Sequence, residues 1–162
     1  MPEPVTAGIS LRPATQDDCR NLWDWRNEAD TREASLNTQV IPYEDHEKWF
    51  SRKLGAQDTQ ILILVDADGH DVGYVRFNIE GDEAEISVSV DKAERGKGYG
   101  AVAIKQGSDL LLSSNQVRRI IAHIKQDNSA SVAAFRRAGY GPTDAKEATS
   151  PGAYVMAYDR CS

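Results

Sequence analysis

The sequence predicts an α/β fold, with a mixed and mostly antiparallel sheet flanked by helices. The first observation behind this prediction is a run of three strand patterns, at residues 61–65, 72–79 and 84–90, which turn residues separate as in an antiparallel meander. The second is a change of pattern after residue 90, where a helix, a strand and another helix follow.

The first part of the chain is expected to supply one edge strand and two helices. Residues 1–8 carry two prolines and little to bury, so they are expected to form a loose N-terminal arm. Residues 9–12 alternate as a strand does, and Thr15-Gln16-Asp17-Asp18 has the form of a helix start, with the helix ending near Asp30. A second helix opens at Pro42 and has acidic residues in its first turn and basic residues toward its end.

The remaining elements follow the three strands in a regular order. We expect a helix at about 99–113, a strand at 118–124, a helix at 129–138, a loop at 141–152 and a last strand at 153–158. The pattern contains no repeat and no linker, and 162 residues suit one domain, so we predict a single domain covering 1–162. Oligomeric state is not predicted, and a monomer and a homodimer both remain open.

Composition excludes several classes of partner. The chain has 25 acidic and 19 basic residues, a net charge of -6, which argues against general binding to nucleic acid or to an anionic membrane surface. The longest apolar run, residues 61–65, is far shorter than the roughly 20 residues that span a bilayer. Cys19 and Cys161 are far apart and lack metal-ligand spacing, and no leader pattern precedes the first strand, so we expect a cytoplasmic protein without a metal site.

A basic, glycine-rich turn at residues 95–101 separates the fourth strand from the helix after it. Its alternating glycines allow close approach of a ligand to the backbone, and the free amides at the helix start suit a phosphate or pyrophosphate. A P-loop is excluded because no Ser or Thr follows Lys97. A dinucleotide fingerprint fits loosely, but Arg118 and Arg119 stand where that fold needs an acidic residue for the ribose, so a dinucleotide-binding protein is a remote alternative.

A third phosphate-binding design matches better, and a second segment supports it. Arg95, Gly98 and Gly100 satisfy the pattern [RQ]-x-x-G-x-[GA]. The second segment fits N-x-x-[AS]-x-x-x-[YF]-x-x-x-G-[FY] with Asn128, Ser131, Phe135, Gly139 and Tyr140. On these residues the chain resembles the GNAT superfamily of N-acetyltransferases, over about residues 9–158.

The resemblance implies a fold, a cofactor and a reaction. The resemblance implies a parallel pair between the fourth and fifth strands, which splays apart to admit acetyl-CoA. A primary amine then attacks the acetyl group directly in a ternary complex. A backbone amide at the end of the fourth strand then donates a hydrogen bond to the oxygen of the thioester carbonyl. The expected acetyl-CoA contacts are Val88, Ser89, Val90, Arg95, Gly96, Lys97, Gly98, Tyr99, Gly100, Ala101, Asn128, Ser131 and Phe135.

His123 is the expected general base, because it lies five residues before Asn128, where related acetyltransferases carry a Glu base. Imidazole titrates near neutrality and can accept an ammonium proton. Glu85 is the alternative base, since other branches use a carboxylate on that strand, and it may equally pair with Arg76 or face solvent.

The usual general acid is absent. Many members carry a Tyr where this chain has Phe135, which cannot donate a proton. Tyr140 and Tyr99 are weaker substitutes, and we expect the thiolate, whose acid has a pKa of about 8.5, to leave unaided. The missing Tyr also keeps open a non-catalytic acyl-CoA-binding module.

The expected acceptor contacts combine arginines with an aromatic ring. The W-R-N and H-x-x-W-F stretches resemble the branch that acetylates nucleotide-linked amino sugars in pseudaminic acid biosynthesis, where arginines suit a diphosphate. The resemblance assigns this role to Arg26, Asn27, Arg32, His46, Trp49 and Arg76. His46 is also a third candidate for the base. The other acceptor kept open is a protein N-terminus, as in the acetyltransferases of ribosomal proteins.

Overall fold

The structure is a computed structural model that describes residues 8–28, 40–96, 98–114, 116–125, 128–142 and 153–159. Seven strands form one sheet: β1 (Ser10–Pro13), β2 (Thr59–Val65), β3 (Asp71–Glu80), β4 (Glu83–Val90), β5 (Arg119–Lys125), β6 (Gly141–Pro142) and β7 (Ala153–Asp159). The α-helices in the described ranges are α1 (Cys19–Asn27), α2 (Tyr43–Leu54), α3 (Tyr99–Leu112) and α4 (Ser129–Arg137). None of the described helices is long and apolar enough to cross a membrane.

The sheet has the order β1-β2-β3-β4-β5-β7-β6. Neighbours from β1 to β4 are antiparallel, as is β5 with β7, and β4 with β5 is the parallel pair. The turns between the meander strands use glycines with positive φ, Gly69 at 85° and Gly81 at 66°, a conformation that glycine adopts without steric cost. The predicted fold class is confirmed.

The parallel pair opens partway along its length. Backbone pairing between β4 and β5 joins only Glu83 to Arg119, Ala84 to Ile120 and Glu85 to Ile121. Both strands continue beyond these pairs, β4 to Val90 and β5 to Lys125, and there each keeps only its outer neighbour, β3 or β7. A gap between two strands therefore opens in the middle of the sheet.

Alternating side chains give the sheet a hydrophobic core on each face. One core joins Leu22 of α1 and Phe50 of α2 to alternate residues of β2 and β3, including Ile63 and Tyr74. The intervening residues of the same strands face the other way and pack with α3 and α4, as Leu64 and Phe77 do with Ile104 and Phe135. Because side chains alternate across a strand, residues at the gap also divide between the two faces.

The element boundaries correct the sequence prediction in a few places. Thr15 and Asp18 do form a capping box, but it begins a 3₁₀ turn, Gln16–Asp18, and α1 follows from Cys19. The helix predicted to reach Asp30 ends at Asn27. The predicted loop at 141–152 begins with the short strand β6, and its remainder lies outside the described residues, as does the predicted N-terminal arm up to residue 7.

Candidate active site

A cleft of about 940 Å³ occupies the gap between β4 and β5. Its walls are the end of β4, the glycine turn, the start of α3, the end of β5 and the exposed side of α4. Every residue predicted to contact acetyl-CoA lines this cleft except Lys97, which lies outside the described residues. The fold thus brings together two segments that are about thirty residues apart in the chain.

The glycine turn presents backbone rather than side chains to the cleft. Gly96 and Gly98 have φ of 84° and 81°, and Gly98 is the N-cap residue of α3. A left-handed glycine at that position leaves the first amides of the helix without a side-chain cap. Backbone amides at the positive end of a helix form a site that suits an anion such as pyrophosphate.

Arg95 is already engaged at the edge of this turn. Its Nε donates to the carbonyl of Val90 at 3.0 Å, and its Nη2 donates to a carboxylate oxygen of Glu28 at 2.8 Å. Glu28 directly follows α1, so the ion pair connects the acceptor-side helix to the glycine turn. The sequence pattern marked Arg95 but gave no sign of this partner.

The end of β4 lies unusually close to β3. A Cβ atom built on Gly73 would lie 2.3 Å from the carbonyl oxygen of Ser89 and 3.0 Å from Cα of Val90. No side chain fits at that distance, so Gly73 allows the backbone at the predicted thioester site to take its observed position. No local sequence pattern marks Gly73, because only its contact with β4 reveals its role.

His123 and Glu85 meet on the wall of the cleft. The Nε2 atom of His123 lies 3.3 Å from a carboxylate oxygen of Glu85, and their side chains are 22% and 48% exposed. Ala122 and Ile124 point into the core with α3 and α4, so His123 projects toward the face that α1 and α2 cover. The two alternative bases are therefore neighbours, and the expected pairing of Glu85 with Arg76 is not observed.

The residues considered for proton donation are placed differently from one another. Phe135 lines the cleft, is only 3% exposed, and packs edge-on against Tyr140 with ring centroids 5.0 Å apart. Tyr140 lies behind it, and its hydroxyl forms a 2.7 Å hydrogen bond with Ser108. Burial raises the pKa of Tyr140 well above its ordinary value, which removes it as a ready proton donor. Tyr99 lines the cleft.

The side of the cleft expected to hold the acceptor is lined by two arginines, with an indole ring behind them. The Cζ atoms of Arg26 and Arg76 lie 4.2 and 5.0 Å from the ring centroid of Trp49. Both arginines line the cleft, and Trp49 stands behind them. Tyr74 and Ile41 also line this side, and sequence analysis missed both. Tyr74 is a core residue by its strand pattern, and Ile41 belongs to no regular element.

Three expected acceptor contacts need correction or lie out of view. His46 is fully buried, so it reaches the site only through Arg26 and is placed neither as base nor as a lining residue. The amide of Asn27 bonds the backbone carbonyl and N–H of Ile41, each at 2.7 Å, and so holds the chain before α2. Arg32 lies outside the described residues.

His46 fixes the position of Arg26. Its Nε2 lies 2.9 Å from the carbonyl oxygen of Cys19, and its Nδ1 lies 3.0 Å from Nη1 of Arg26. Burial lowers the pKa of His46, the hydrogen bond to Cys19 opposes that shift in part, and the charge of Arg26 lowers it further. The ring is therefore neutral, with Nε2–H donating to Cys19 and Nδ1 accepting from Arg26.

Comparison with protein families identifies this architecture. Residues 9–141 match the family model described as the acetyltransferase (GNAT) domain. The chain belongs to the GNAT acetyltransferase family.

Among curated relatives of this GNAT chain, mycothiol acetyltransferase of Clavibacter michiganensis subsp. michiganensis is 30% identical over 146 residues, which are 85% of this chain and 44% of that protein. The enzyme of that name from Corynebacterium efficiens is 25% identical, over 84% of this chain and 45% of its own length. The chain thus spans less than half the length of these relatives.

Solved structures share the fold of this GNAT chain over nearly its whole length. Spermidine N-acetyltransferase from Vibrio cholerae, in complex with CoA and spermine, aligns with a TM-score of 0.82 at 15% identity, covering 94% of this chain and 96% of that one. The aminoglycoside acetyltransferase AAC(6')-Ib, in complex with ribostamycin and coenzyme A, aligns with a TM-score of 0.81 at 19% identity, covering 94% of each chain.

Proposed function

We propose that this protein transfers an acetyl group from acetyl-CoA to a primary amine. The observation that carries the proposal is the cleft between β4 and β5, which has an anion-binding glycine turn at one end and the His123–Glu85 pair on its wall. Membership of the GNAT family and the CoA bound in solved structures of the same fold support acetyl-CoA as the donor.

The chain's own groups fit the donor. The amides at Gly96, Gly98 and the start of α3 would hold the pyrophosphate, and a backbone amide near Ser89 would polarise the thioester carbonyl. Acetyl-CoA supplies an activated acyl group with a good leaving thiolate. Because Phe135 cannot protonate that thiolate and Tyr140 is buried on Ser108, we propose that it leaves without a general acid and takes its proton from solvent.

His123 is the proposed general base. An amine is protonated near neutral pH and must lose a proton before it can attack. The imidazole of His123 can accept that proton, and the adjacent carboxylate of Glu85 stabilises the imidazolium that results. If Glu85 itself were the base, the same contact would leave His123 as its partner, so the two roles must be separated by substitution.

For the acceptor, we propose the amino group of a nucleotide-linked sugar. Arg26 and Arg76 line the acceptor side and suit phosphate oxygens, and Tyr74 adds an aromatic surface suited to a sugar or a base. None of the similar proteins reported above is named for a nucleotide sugar: they are a spermidine N-acetyltransferase, an aminoglycoside acetyltransferase and a mycothiol acetyltransferase. A protein N-terminus is the second candidate, and an acyl-CoA-binding module without turnover is the third, favoured by Phe135.

The test is CoA release from acetyl-CoA across an amine panel. The panel contains UDP- and CMP-linked amino sugars, peptide N-termini and free polyamines, and a His123→Ala variant is the catalytic control. Turnover confined to nucleotide sugars would support the proposal, and turnover on peptides alone would support the second candidate. Acetyl-CoA binding without turnover of any amine would overturn the catalytic proposal and leave the binding module.

A further inference from the structure

The two arginines on the acceptor side have no acidic partner in the described part of the chain. Ion pairs there hold Arg12, Arg95, Arg118 and Arg119, but no carboxylate lies within ion-pair distance of Arg26 or Arg76. This arrangement is unusual in a chain with six more acidic than basic residues. Buried or half-buried charges in proteins are normally paired, because leaving water costs free energy.

Arg76 lacks a hydrogen-bond acceptor for its Nε atom as well as an acidic partner among the described residues. Its Nη2 donates to the hydroxyl of Ser87 at 3.2 Å, but its Nε atom is buried and has no hydrogen-bond partner. An arginine offers five N–H donors in a fixed planar fork. A buried donor without an acceptor costs free energy. Arg76 also lines the cleft, so an oxyanion there can bind the part of its guanidinium group that the cleft exposes.

Arg26 is placed against Arg76 by its own surroundings. His46 accepts one N–H from Nη1, Trp49 supports the guanidinium face, and no other hydrogen bond of Arg26 forms among the described residues. Burial lowers the pKa of Arg26, Tyr74 opposes that shift, and the charge of Arg76 lowers it further. Two like charges share one indole ring, and neither surrounding helix supplies a counter-charge.

Among the described residues, the carboxylates that line the cleft do not neutralise this pair. They are Glu85, which contacts His123, and Glu94, beside the glycine turn. Neither forms an ion pair with Arg26 or Arg76 in the structure. The positive charge therefore stays available on the acceptor side, next to the proposed base.

We propose that Arg26 and Arg76 bind an acidic group on the acceptor, a carboxylate or a phosphate, while its amine faces His123. The acceptor is therefore an anionic amine. This inference rests on the proposed acetyl transfer but does not depend on the acceptor's being a nucleotide sugar, since an amino acid or a sugar phosphate would satisfy the same site. Planar guanidinium groups bind either oxyanion through paired hydrogen bonds. A polycation is repelled by the same pair.

The experiment compares amines that differ only in the acidic group. Glucosamine 6-phosphate is measured against glucosamine by initial rates of CoA release. In the same way, L-glutamate is measured against L-glutamine, which lacks the side-chain carboxylate, and against L-glutamine amide, which lacks both carboxylates. We expect kcat/KM to favour the acidic member by about tenfold or more in at least one pair, as charge-assisted hydrogen bonds allow. The phosphate and carboxylate arms show which oxyanion the site prefers.

Variants connect the preference to the two arginines. In Arg26→Gln and Arg76→Gln the advantage of the acidic amine should fall to within about threefold, with loss mainly through KM. Arg52→Gln is the matched control, because Arg52 is exposed on the same helix as Trp49, and it should keep the wild-type preference. Arg76→Lys keeps a positive charge and should therefore keep part of the preference for the acidic amine. Equal rates on both members of every pair, or a preference that survives both Gln variants, would overturn the inference.

A binding measurement separates this inference from the proposed reaction. Calorimetric titration of the CoA-bound protein with glucosamine 6-phosphate and with glutamate should show binding that Arg76→Gln abolishes and Arg52→Gln retains. Thermal unfolding should show that Arg76→Gln is no less stable than wild type, because the unpaired buried donor is removed. Arginine-dependent binding without turnover would refute the acetyl transfer and keep the anion site. The absence of both binding and rate preference would refute the anion site.

Discussion

His123 lines the cleft, is partly exposed, and lies 3.3 Å from Glu85. We predict that His123→Ala lowers kcat by roughly 10²–10⁴-fold, the usual contribution of general base catalysis. Binding of acetyl-CoA, measured by calorimetry, should change by no more than about twofold, because the ring is not part of the glycine turn that is proposed to hold the pyrophosphate.

Glu85→Gln provides the comparison for that prediction. If His123 is the base, losing the carboxylate of Glu85 should lower kcat less than losing the imidazole of His123. A Glu85→Gln variant that is more impaired than His123→Ala would reverse the two roles. A His123→Ala variant with near-normal kcat across pH would remove His123 from the mechanism.

His46 makes the stability of the protein depend on pH. Burial holds the pKa of His46 in the folded chain below the unfolded value of about 6.5, so the unfolded chain binds the proton first. The stability that depends on neutral His46 is thus complete above about pH 6.5 and is lost as pH falls through the folded pKa. We predict that His46→Gln flattens the fall in melting temperature between about pH 7 and 5.

The matched control is His70→Gln, because the side chain of His70 is 75% exposed in the β2–β3 turn. This variant should keep the wild-type fall in melting temperature as the pH decreases. Protonated His46 has no lone pair for Arg26, so the KM for the acceptor should rise over the same pH range. An unchanged pH dependence of stability in His46→Gln would contradict the role given to the buried ring.

Residue patterns predicted the cofactor side better than the acceptor side. Arg95, Gly98 and Asn128 have fixed spacings, because the turn and the helix caps that they form are local structures. His46 and Asn27 were selected from an equally clear pattern, but tertiary contacts turned both away from the cleft. Tyr74 lines the site and carries no local signal, since a strand residue's alternation shows its face and not its neighbours.

At the scale of elements, the end of β4 depends on the absence of a side chain on β3. We predict that Gly73→Ala lowers the free energy of unfolding by about 1–3 kcal/mol, because the added Cβ would lie 2.3 Å from the backbone oxygen of Ser89 and β4 must move. The same movement displaces the amides near Val90, so acetyl-CoA should bind more weakly. Chemical denaturation and calorimetric titration measure the two effects.

Gly55→Ala is the control for that substitution. A Cβ on Gly55 would have its nearest atom at 4.0 Å, so stability and acetyl-CoA binding should be unchanged or slightly improved. Gly73→Ala with normal stability and weaker binding would place the effect in the cleft alone. Normal values for both would show that β4 can shift without cost.

The order of helices and strands followed from the sequence because each element satisfies its own periodicity. The alternation in β3 and β4 and the helical spacing in α2 and α4 all predicted the observed elements to within a few residues. The 3₁₀ turn before α1 was missed because a capping box marks a helix start without specifying the type of helix. The strand β6 is only two residues long, too short to show a period.

At the scale of the whole molecule, the sheet separates two sets of contacts. The core with α1 and α2 supports the acceptor side, and the core with α3 and α4 supports the cofactor side. Two polar contacts connect the end of α1 to the segment after β4: the indole N–H of Trp25 donates to Asp91 at 3.0 Å, and Glu28 pairs with Arg95. Neither pairing was predictable from sequence, since about 65 residues separate the partners.

The Glu28–Arg95 pair predicts a competition for the cofactor. Arg95 is expected to bind the pyrophosphate of acetyl-CoA, yet in this structure its Nη2 is held by Glu28 at 2.8 Å, with Lys92 4.0 Å from the same carboxylate. Removing that carboxylate releases the Nη2 of Arg95 from Glu28 and takes a negative charge away from the proposed pyrophosphate site. We predict that Glu28→Gln tightens acetyl-CoA binding several-fold at low salt, that Arg95→Gln weakens it about tenfold, and that salt reduces both changes.

The two effects should depend on each other if one arginine serves both partners. In an Arg95→Gln background, the gain in acetyl-CoA affinity from Glu28→Gln should shrink to the part that comes from removing the negative charge of Glu28. A double-mutant cycle measures the coupling between the two residues. Asp82→Asn removes a carboxylate from a similar arginine pair on the surface, with Arg118 at 2.6 Å, and should leave acetyl-CoA binding unchanged. Weaker binding in Glu28→Gln would mean that Glu28 orients Arg95 toward the cofactor, so that α1 and the glycine turn act together in binding it.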